Sequence, residues 1–337
     1  MKAAVLEAYH KPLQIRELEI TGPGPNEVTI EVKACGLCST DVHISEGKIP
    51  TVKLPLIPGH EFAGTVVKVG GEVKDFAIGD RVVICVDASC GRCDFCLRGE
   101  TNRCSNLVRI GFERSGGMGE YVNVPAANLE KISPQIPFEK AAIVPDAVVC
   151  MYRGLKTLGG VSAGTKVAIV GVGGLGMQGI RIGRLLGAHV TVTSRNDQKL
   201  ELAKSIGADL TINTKRESLP EIAKKMGGFD VVADLIGTRE SILEAVTLCR
   251  NGGKVIALAY VDPRLEIPSY EIVIREKQVI GSRAVTRSEF REVVNLVNSG
   301  KLDPHIGELI PIRHINEALE NLKNGKFLTR SVLMHPF

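Results

Sequence analysis

The residues with the most chemistry to offer are the cysteines. Nine occur among 337 residues, and four of them fall in one stretch, SCGRCDFCLRGETNRC, as Cys90, Cys93, Cys96 and Cys104. Two x₂ spacings followed by an x₇ step let a short lobe wrap its thiolates around one tetrahedral ion. Protein then fills every coordination position, the mark of a structural zinc. Iron–sulfur clusters share the x₂ spacing, but zinc is the favoured reading. Such a site stabilises its own loop and contributes no chemistry. A second constellation lies upstream, with Cys38 in GLCSTDVH and then His60 and Glu61 in PGHEFAG. Taken singly, Cys38 reads as a small buried residue and His60 as a satisfied core histidine.

A third signal is a glycine pattern. KVAIVGVGGLGMQGI sets Gly171, Gly173 and Gly176 in G-x-G-x-x-G, directly after an apolar strand and at the start of a helical segment. That flanking context separates a dinucleotide fingerprint from an ordinary turn. Gly171 permits the tight turn, Gly173 lets the backbone approach a pyrophosphate, and Gly176 allows close helix–strand packing. The first helical turn, with Gly174 and Leu175, offers free N–H groups and a positive dipole end to phosphate. An NAD site usually ends the next strand with an acid that binds the ribose diol. Here HVTVTSRNDQK places Ser194 and Arg195 at that end, with Lys199 just beyond. A hydroxyl and a guanidinium suit a 2′-phosphate, which a carboxylate would repel. NADP(H) is therefore expected, and NAD(H) stays possible if Asp197 reaches back to the ribose. The plain role for Asp197 is a helix cap.

These residues need elements to hold them. A length of 337 residues suggests two domains at roughly 150 residues each. About the first 130 residues read as short strands, such as Val28–Val32, Phe62–Val69 and Arg81–Val86, separated by turn clusters. From about Ala147, apolar runs at Val167–Val170, Val190–Thr193, Val231–Leu235, Val255–Leu258 and Val279–Ile280 alternate with helical segments. That rhythm predicts a doubly wound parallel sheet covered on both faces, an α/β domain of Rossmann type. Two helices and a short strand near Ser331–Met334 close the chain. The expected division is residues 1–147 joined by a returning 287–337 as the β-rich domain, and 148–286 as the nucleotide-binding domain.

Composition narrows the partners. A formal net charge of +4 is too small and dispersed to argue for nucleic acid or an anionic membrane. The absence of Trp, with 4% aromatic residues, argues against a base-stacking platform. No run of 18 apolar residues and no signal-peptide pattern is found, so a cytoplasmic protein is expected. In that compartment thiols stay reduced, and clustered cysteines point to metal or catalysis.

Together the pieces are fuller than any one of them. The sequence resembles the zinc-dependent medium-chain alcohol dehydrogenases over essentially its whole length. The signature G-H-E-x₂-G-x₅-G is matched by Gly59, His60, Glu61, Gly64 and Gly70. The resemblance implies a β-rich GroES-like catalytic domain beside the Rossmann-type domain, and two zinc ions per chain. It carries the first two catalytic zinc ligands onto Cys38 and His60. The third falls at Asp146 in PDAVVCMY, where many members have a cysteine, and Cys150 one turn later competes for the role. Glu61 matches an acid that can approach the metal as an alternative ligand. With Cys38 as thiolate, neutral His60 and ionised Asp146, a zinc site is electrically neutral and keeps one position open. Glu61 as a permanent fourth ligand would make that site negative and closed.

By the same resemblance, Thr40 and His43 relay the alcohol proton to solvent, and Asp41 accepts a hydrogen bond from the zinc-binding histidine. Arg330 matches an arginine near the cofactor pyrophosphate, although Thr329 stands where glycine is usual, and Ala259 also replaces a glycine. The implied activity is hydride transfer between an alcohol and NADP(H), running in reverse as aldehyde or ketone reduction. Small-molecule substrates and a homodimer or homotetramer follow from the resemblance. A polyol or sugar dehydrogenase of the same family is the alternative. From a different class, the chain could be a non-catalytic nucleotide-binding regulatory protein. Cys35, Cys85, Cys150 and Cys249 remain as small buried residues.

Overall fold

The strand Glu27–Gly36 organises the β-rich unit. Val28, Ile30, Val32 and Ala34 are buried and alternate along it, the period-2 pattern of a strand with one face on a core. It pairs antiparallel with Phe62–Val69, with Tyr121–Pro125 and with Val332–Met334. The register sets Cys35 opposite Phe62 and Gly36 opposite Val332. Residues just beyond those strand ends therefore gather at one end of the sheet, and they are Cys38, His60, Glu61 and Arg330. The sheet continues through Arg81–Ile84 and Leu129–Lys131, with Leu309–Pro311 at the other edge. Its core includes Ile30, Phe62, Val66, Ile84, Val124 and Leu333.

The second unit holds six parallel strands. In chain order they are Lys166–Val170, His189–Ser194, Leu210–Asn213, Phe229–Asp234, Cys249–Ala257 and Gln278–Gly281. In space the order is third, second, first, fourth, fifth, sixth. This is the doubly wound order whose reversal beside the first strand opens a crevice for a dinucleotide. Val167–Val170 is a continuous buried run, as expected for a strand covered on both faces. The fifth strand starts at Cys249, earlier than the apolar run at Val255 suggested, because Cys249 already pairs with Phe229; the ladder then shifts register across a stretch with Gly252 at φ +69° and resumes at Lys254 opposite Val231.

This computed structural model describes residues 1–337. The chain divides into Met1–Asp146 with Val285–Phe337, and Ala147–Ala284. No helix is long and apolar enough to cross a membrane.

Candidate active site

Cys38 closes the turn after the central strand and caps the helix Ser39–Ser45. Its sulfur accepts the Thr40 N–H at 3.5 Å and lies 3.5 Å from Thr40 Oγ1. Asp41 is 2% exposed and serves two neighbours. Its Oδ2 accepts the Cys38 N–H at 2.9 Å, and its Oδ1 lies 3.3 Å from His60 Nδ1. His60 and Glu61 sit immediately before Phe62–Val69, both buried. Asp146 lies in the π-helical turn Val144–Val148, a widened turn of the kind often found at functional sites. Its Oδ2 is 3.6 Å from the Cys38 sulfur.

The structure thus brings Cys38, His60, Glu61 and Asp146 together, with one ligand atom from each within 4.8 Å of the others. Cys150 is outside that group. Arg330 joins it. Expected at the cofactor pyrophosphate, its guanidinium is 4% exposed and faces the donors, Nη2 at 3.1 Å from Asp146 Oδ2 and 3.3 Å from Glu61 Oε1. Its Nη1 donates to Leu37 O at 3.2 Å. These partners change the charge count. Three anionic donors and one guanidinium leave a formal charge of −2, which a divalent ion would neutralise with Glu61 included.

Burial pushes the Cys38 thiol up, but the Arg330 charge and the neighbouring His60 outweigh it and hold the thiol below its ordinary value. Burial drives the Glu61 carboxyl well above the usual range despite Arg330 opposite. His60 is raised by Asp41 against its own burial. Both Glu61 carboxylate oxygens are buried without a hydrogen-bond partner, a costly state for such a group unless a charge meets it. The mixed sulfur, nitrogen and oxygen donors fit a zinc ion.

Thr40 and His43 lie three residues apart on the helix Ser39–Ser45, which puts them on one face. His43 is half-buried, and burial holds its imidazole below the ordinary value. One contributor had no signal in the local motifs. Phe112 packs against His60 with ring centroids 5.1 Å apart and the planes tilted by 54°. Arg330, singled out in the sequence for the cofactor, instead meets Asp146 across 184 residues.

The four remaining ligand candidates form their own lobe. Cys90, Cys93, Cys96 and Cys104 bring their sulfurs within 4.8 Å of one another. Cys104 Sγ accepts the N–H groups of Cys90 and Asn106 at 3.2 and 3.4 Å. Backbone donors at Cys96 and Ser105 pull the Cys93 thiol down to about 6. Such donors favour thiolate, the metal-binding form.

In the second unit, the strand Lys166–Val170 turns at Gly171, φ +91°, into the helix Gly174–Leu185, with Gly173 at its N-cap. A Cβ at Gly176 would lie 2.8 Å from Gly171 O, so only glycine lets this helix sit so close. Ser194 ends the next strand and its Oγ accepts the Asn196 N–H at 3.1 Å. Arg195 is exposed beside it. The helix cap is Asn196, whose side chain accepts the Lys199 N–H at 3.2 Å. Asp197, expected as that cap, is instead the first helical residue, because an amide oxygen one position earlier already meets the free N–H. Its carboxylate is held by Asn213 Nδ2 at 2.6 Å and by Arg216. Lys199 is half-buried, and burial lowers its ammonium.

Comparisons with known proteins agree with this architecture. Two family models match, the alcohol dehydrogenase GroES-like domain over residues 24–134 and the zinc-binding dehydrogenase over residues 174–299. An alcohol dehydrogenase of Geobacillus stearothermophilus is 36% identical over 336 residues, covering 99% of each chain. The NADP-dependent alcohol dehydrogenase C of Mycobacterium bovis is 30% identical and covers 93% of this chain and 92% of its own. A solved NAD-dependent alcohol dehydrogenase shares the fold with a TM-score of 0.93 at 30% identity, covering 100% of both chains. Over its whole length the chain belongs to the zinc-dependent medium-chain alcohol dehydrogenases, oxidoreductases that interconvert alcohols and carbonyl compounds.

Proposed function

We propose that the protein is a zinc-dependent alcohol dehydrogenase, and an aldehyde or ketone reductase in reverse, that works with NADP(H). The observation that carries this reading is the buried donor cluster, in which neither Glu61 oxygen has a hydrogen-bond partner. Cys38, His60 and Asp146 would hold a zinc ion, which polarises the substrate oxygen and eases loss of the alcohol proton. Asp41 helps to set the His60 ring and steadies the Cys38 backbone. Thr40 accepts the alcohol proton, and His43 on the same helix face hands it to solvent. A lowered imidazole value keeps His43 neutral, and so able to receive a proton, near neutral pH. Glu61, which faces Arg330 at 3.3 Å, would be an alternative ligand for that ion. Cys90, Cys93, Cys96 and Cys104 hold a second, structural zinc.

For the cofactor, Gly171, Gly173, Gly174, Leu175 and Gly176 cradle the pyrophosphate, and Ser194, Arg195 and Lys199 meet the 2′-phosphate. Engagement of Asp197 by Asn213 and Arg216 supports NADP(H), because the nearby acid that could serve a ribose diol is already occupied. The relatives divide on this point, one NADP-dependent and one NAD-dependent at 30% identity each. A homodimer or homotetramer is supported by exposed Tyr260, Val261, Val273 and Ile274, which precede the edge strand Gln278–Gly281. Nine free thiols fit the reducing cytoplasm.

Metal analysis should find two zinc ions per chain, and none would sink the reading. Cys38→Ser should abolish alcohol oxidation. The kcat/KM with NADPH should exceed that with NADH; the reverse order would remove the roles given to Ser194 and Arg195. A panel of alcohols, polyols and aldehydes separates the alcohol reading from the polyol alternative. The non-catalytic alternative is not favoured, since the matched relatives are enzymes.

A further inference from the structure

We propose, on the reading of His60 as a metal ligand, that Phe112 is a positioning residue for its ring and that Arg109, Glu113 and Thr51 clamp Phe112 in place. His60 is 3% exposed, and its contact with Asp41 spans 3.3 Å without hydrogen-bond alignment. The terminal torsion of a histidine has a broad profile, so rotamer preference alone leaves the direction of Nε2 loose. Phe112 restricts it. Its ring is 6% exposed and meets the imidazole at 5.1 Å between centroids, with the planes 54° apart.

Phe112 is in turn held by charge. The Arg109 guanidinium carbon lies 4.1 Å from the centre of its ring, well inside cation–π range. Arg109 has little freedom of its own. Its Nη2 donates to Glu113 Oε1 at 2.5 Å and to Thr51 Oγ1 at 2.7 Å, and its Nε approaches Glu113 Oε2 at 3.1 Å. Glu113 also accepts the Arg109 N–H at 2.8 Å. The backbone follows the same plan. Gly111 has φ +85°, and a Cβ there would lie 2.9 Å from His60 Cα. One turn, residues 109–113, therefore presses on the histidine through its main chain and braces its ring through Phe112. None of these residues belongs to the cysteine, histidine or glycine motifs, and Thr51 reaches Arg109 across 58 residues.

The zinc-loaded protein supplies an internal control, because the four-cysteine lobe holds its ion without His60. Zinc release to a colorimetric chelator in excess should show two phases. Phe112→Leu keeps an apolar side chain but loses the flat ring, and it should speed one phase by about tenfold or more while the other stays put. Phe112→Tyr restores the ring and should return the fast phase to about the parent rate. Arg109→Gln disturbs the clamp without touching the core, and it should shift the same phase in the same direction by a smaller factor. Unchanged release in both Phe112→Leu and Arg109→Gln would overturn the proposal. So would equal acceleration of both phases, which signals general loosening of the unit. A parent protein that binds only the lobe zinc would instead sink the metal reading of His60, a result seen before any variant is made.

Discussion

Arg330 offers the sharpest test of the electrostatics at the donor cluster. It is 4% exposed, with Nη2 3.1 Å from Asp146 and 3.3 Å from Glu61. At an effective dielectric constant of about 20, each contact is worth about 5 kcal/mol before the cost of burying the guanidinium is subtracted. Removing one member of such a buried set costs about 3–5 kcal/mol, because the carboxylates lose their counter-charge. Arg330→Gln keeps a donor for Leu37 O and removes the charge. The unit concerned has about 200 residues, a size at which 1 kcal/mol moves Tm by about 2–4 °C. The variant should therefore melt about 6–20 °C below the parent. The measurement is thermal unfolding by circular dichroism on chelator-treated protein, where no divalent ion shares the carboxylates. Adding Glu61→Gln should recover part of the loss, with a coupling of about 1–3 kcal/mol in the double-mutant cycle. A single variant that melts within about 2 °C of the parent would refute the neutralising role. A strictly additive double variant would do the same.

Other expectations concern different parts of the molecule. Burial pushes the His335 imidazole down to about 4, with its Nε2 3.0 Å from Gly117 O. As pH falls from about 6.5 to 4 the unfolded chain takes up a proton that the folded chain refuses, so stability declines by about 1.4 kcal/mol per pH unit. His335→Gln should remove about 2 kcal/mol of the loss between pH 6.5 and 5 in urea unfolding, and equal losses in both proteins would contradict the assignment. Gly176→Ala would set a methyl group 2.8 Å from Gly171 O. At about 1–3 kcal/mol of overpacking, nucleotide binding should weaken by about tenfold in a fluorescence titration, with zinc content unchanged. Cys93→Ser should remove one zinc per chain by metal analysis and lower Tm while the other zinc is retained; loss of both or neither would count against two independent sites.

The legible parts of the molecule were those written in local spacing. The x₂ and x₇ steps of the cysteine lobe, the glycine turn and the alternating strands are short-range patterns, and the structure repeats each of them. One helix cap moved by a residue because caps compete: Asn196 and Asp197 are both competent, and only the folded turn shows which oxygen meets the N–H of Lys199. The Asp146 carboxylate joined Cys38 through a widened helical turn that no hydrophobic period announces. Arg330 was visible as a residue but not as a partner. Its place among Glu61 and Asp146 depends on the pairing of Val332–Met334 with Glu27–Gly36, a tertiary contact. Phe112 was hidden for the same reason, since one phenylalanine in a loop carries no signal until the loop lies on His60.

That pairing also sets a timetable for biosynthesis. The 184 residues between Asp146 and Arg330 take roughly 10–40 s to emerge at about 5–20 residues per second. Throughout that interval the nascent β-rich unit already contains the thiol, imidazole and both carboxylates, yet lacks their guanidinium. Residues 34–36 likewise wait for their Val332–Met334 partner with hydrogen-bonding groups open, an edge on which another chain could add. A discontinuous domain of this kind leaves its buried donor cluster unfinished for most of translation, and a ribosome stalled before Arg330 would release a chain with all four donor side chains present and none of the counter-charge.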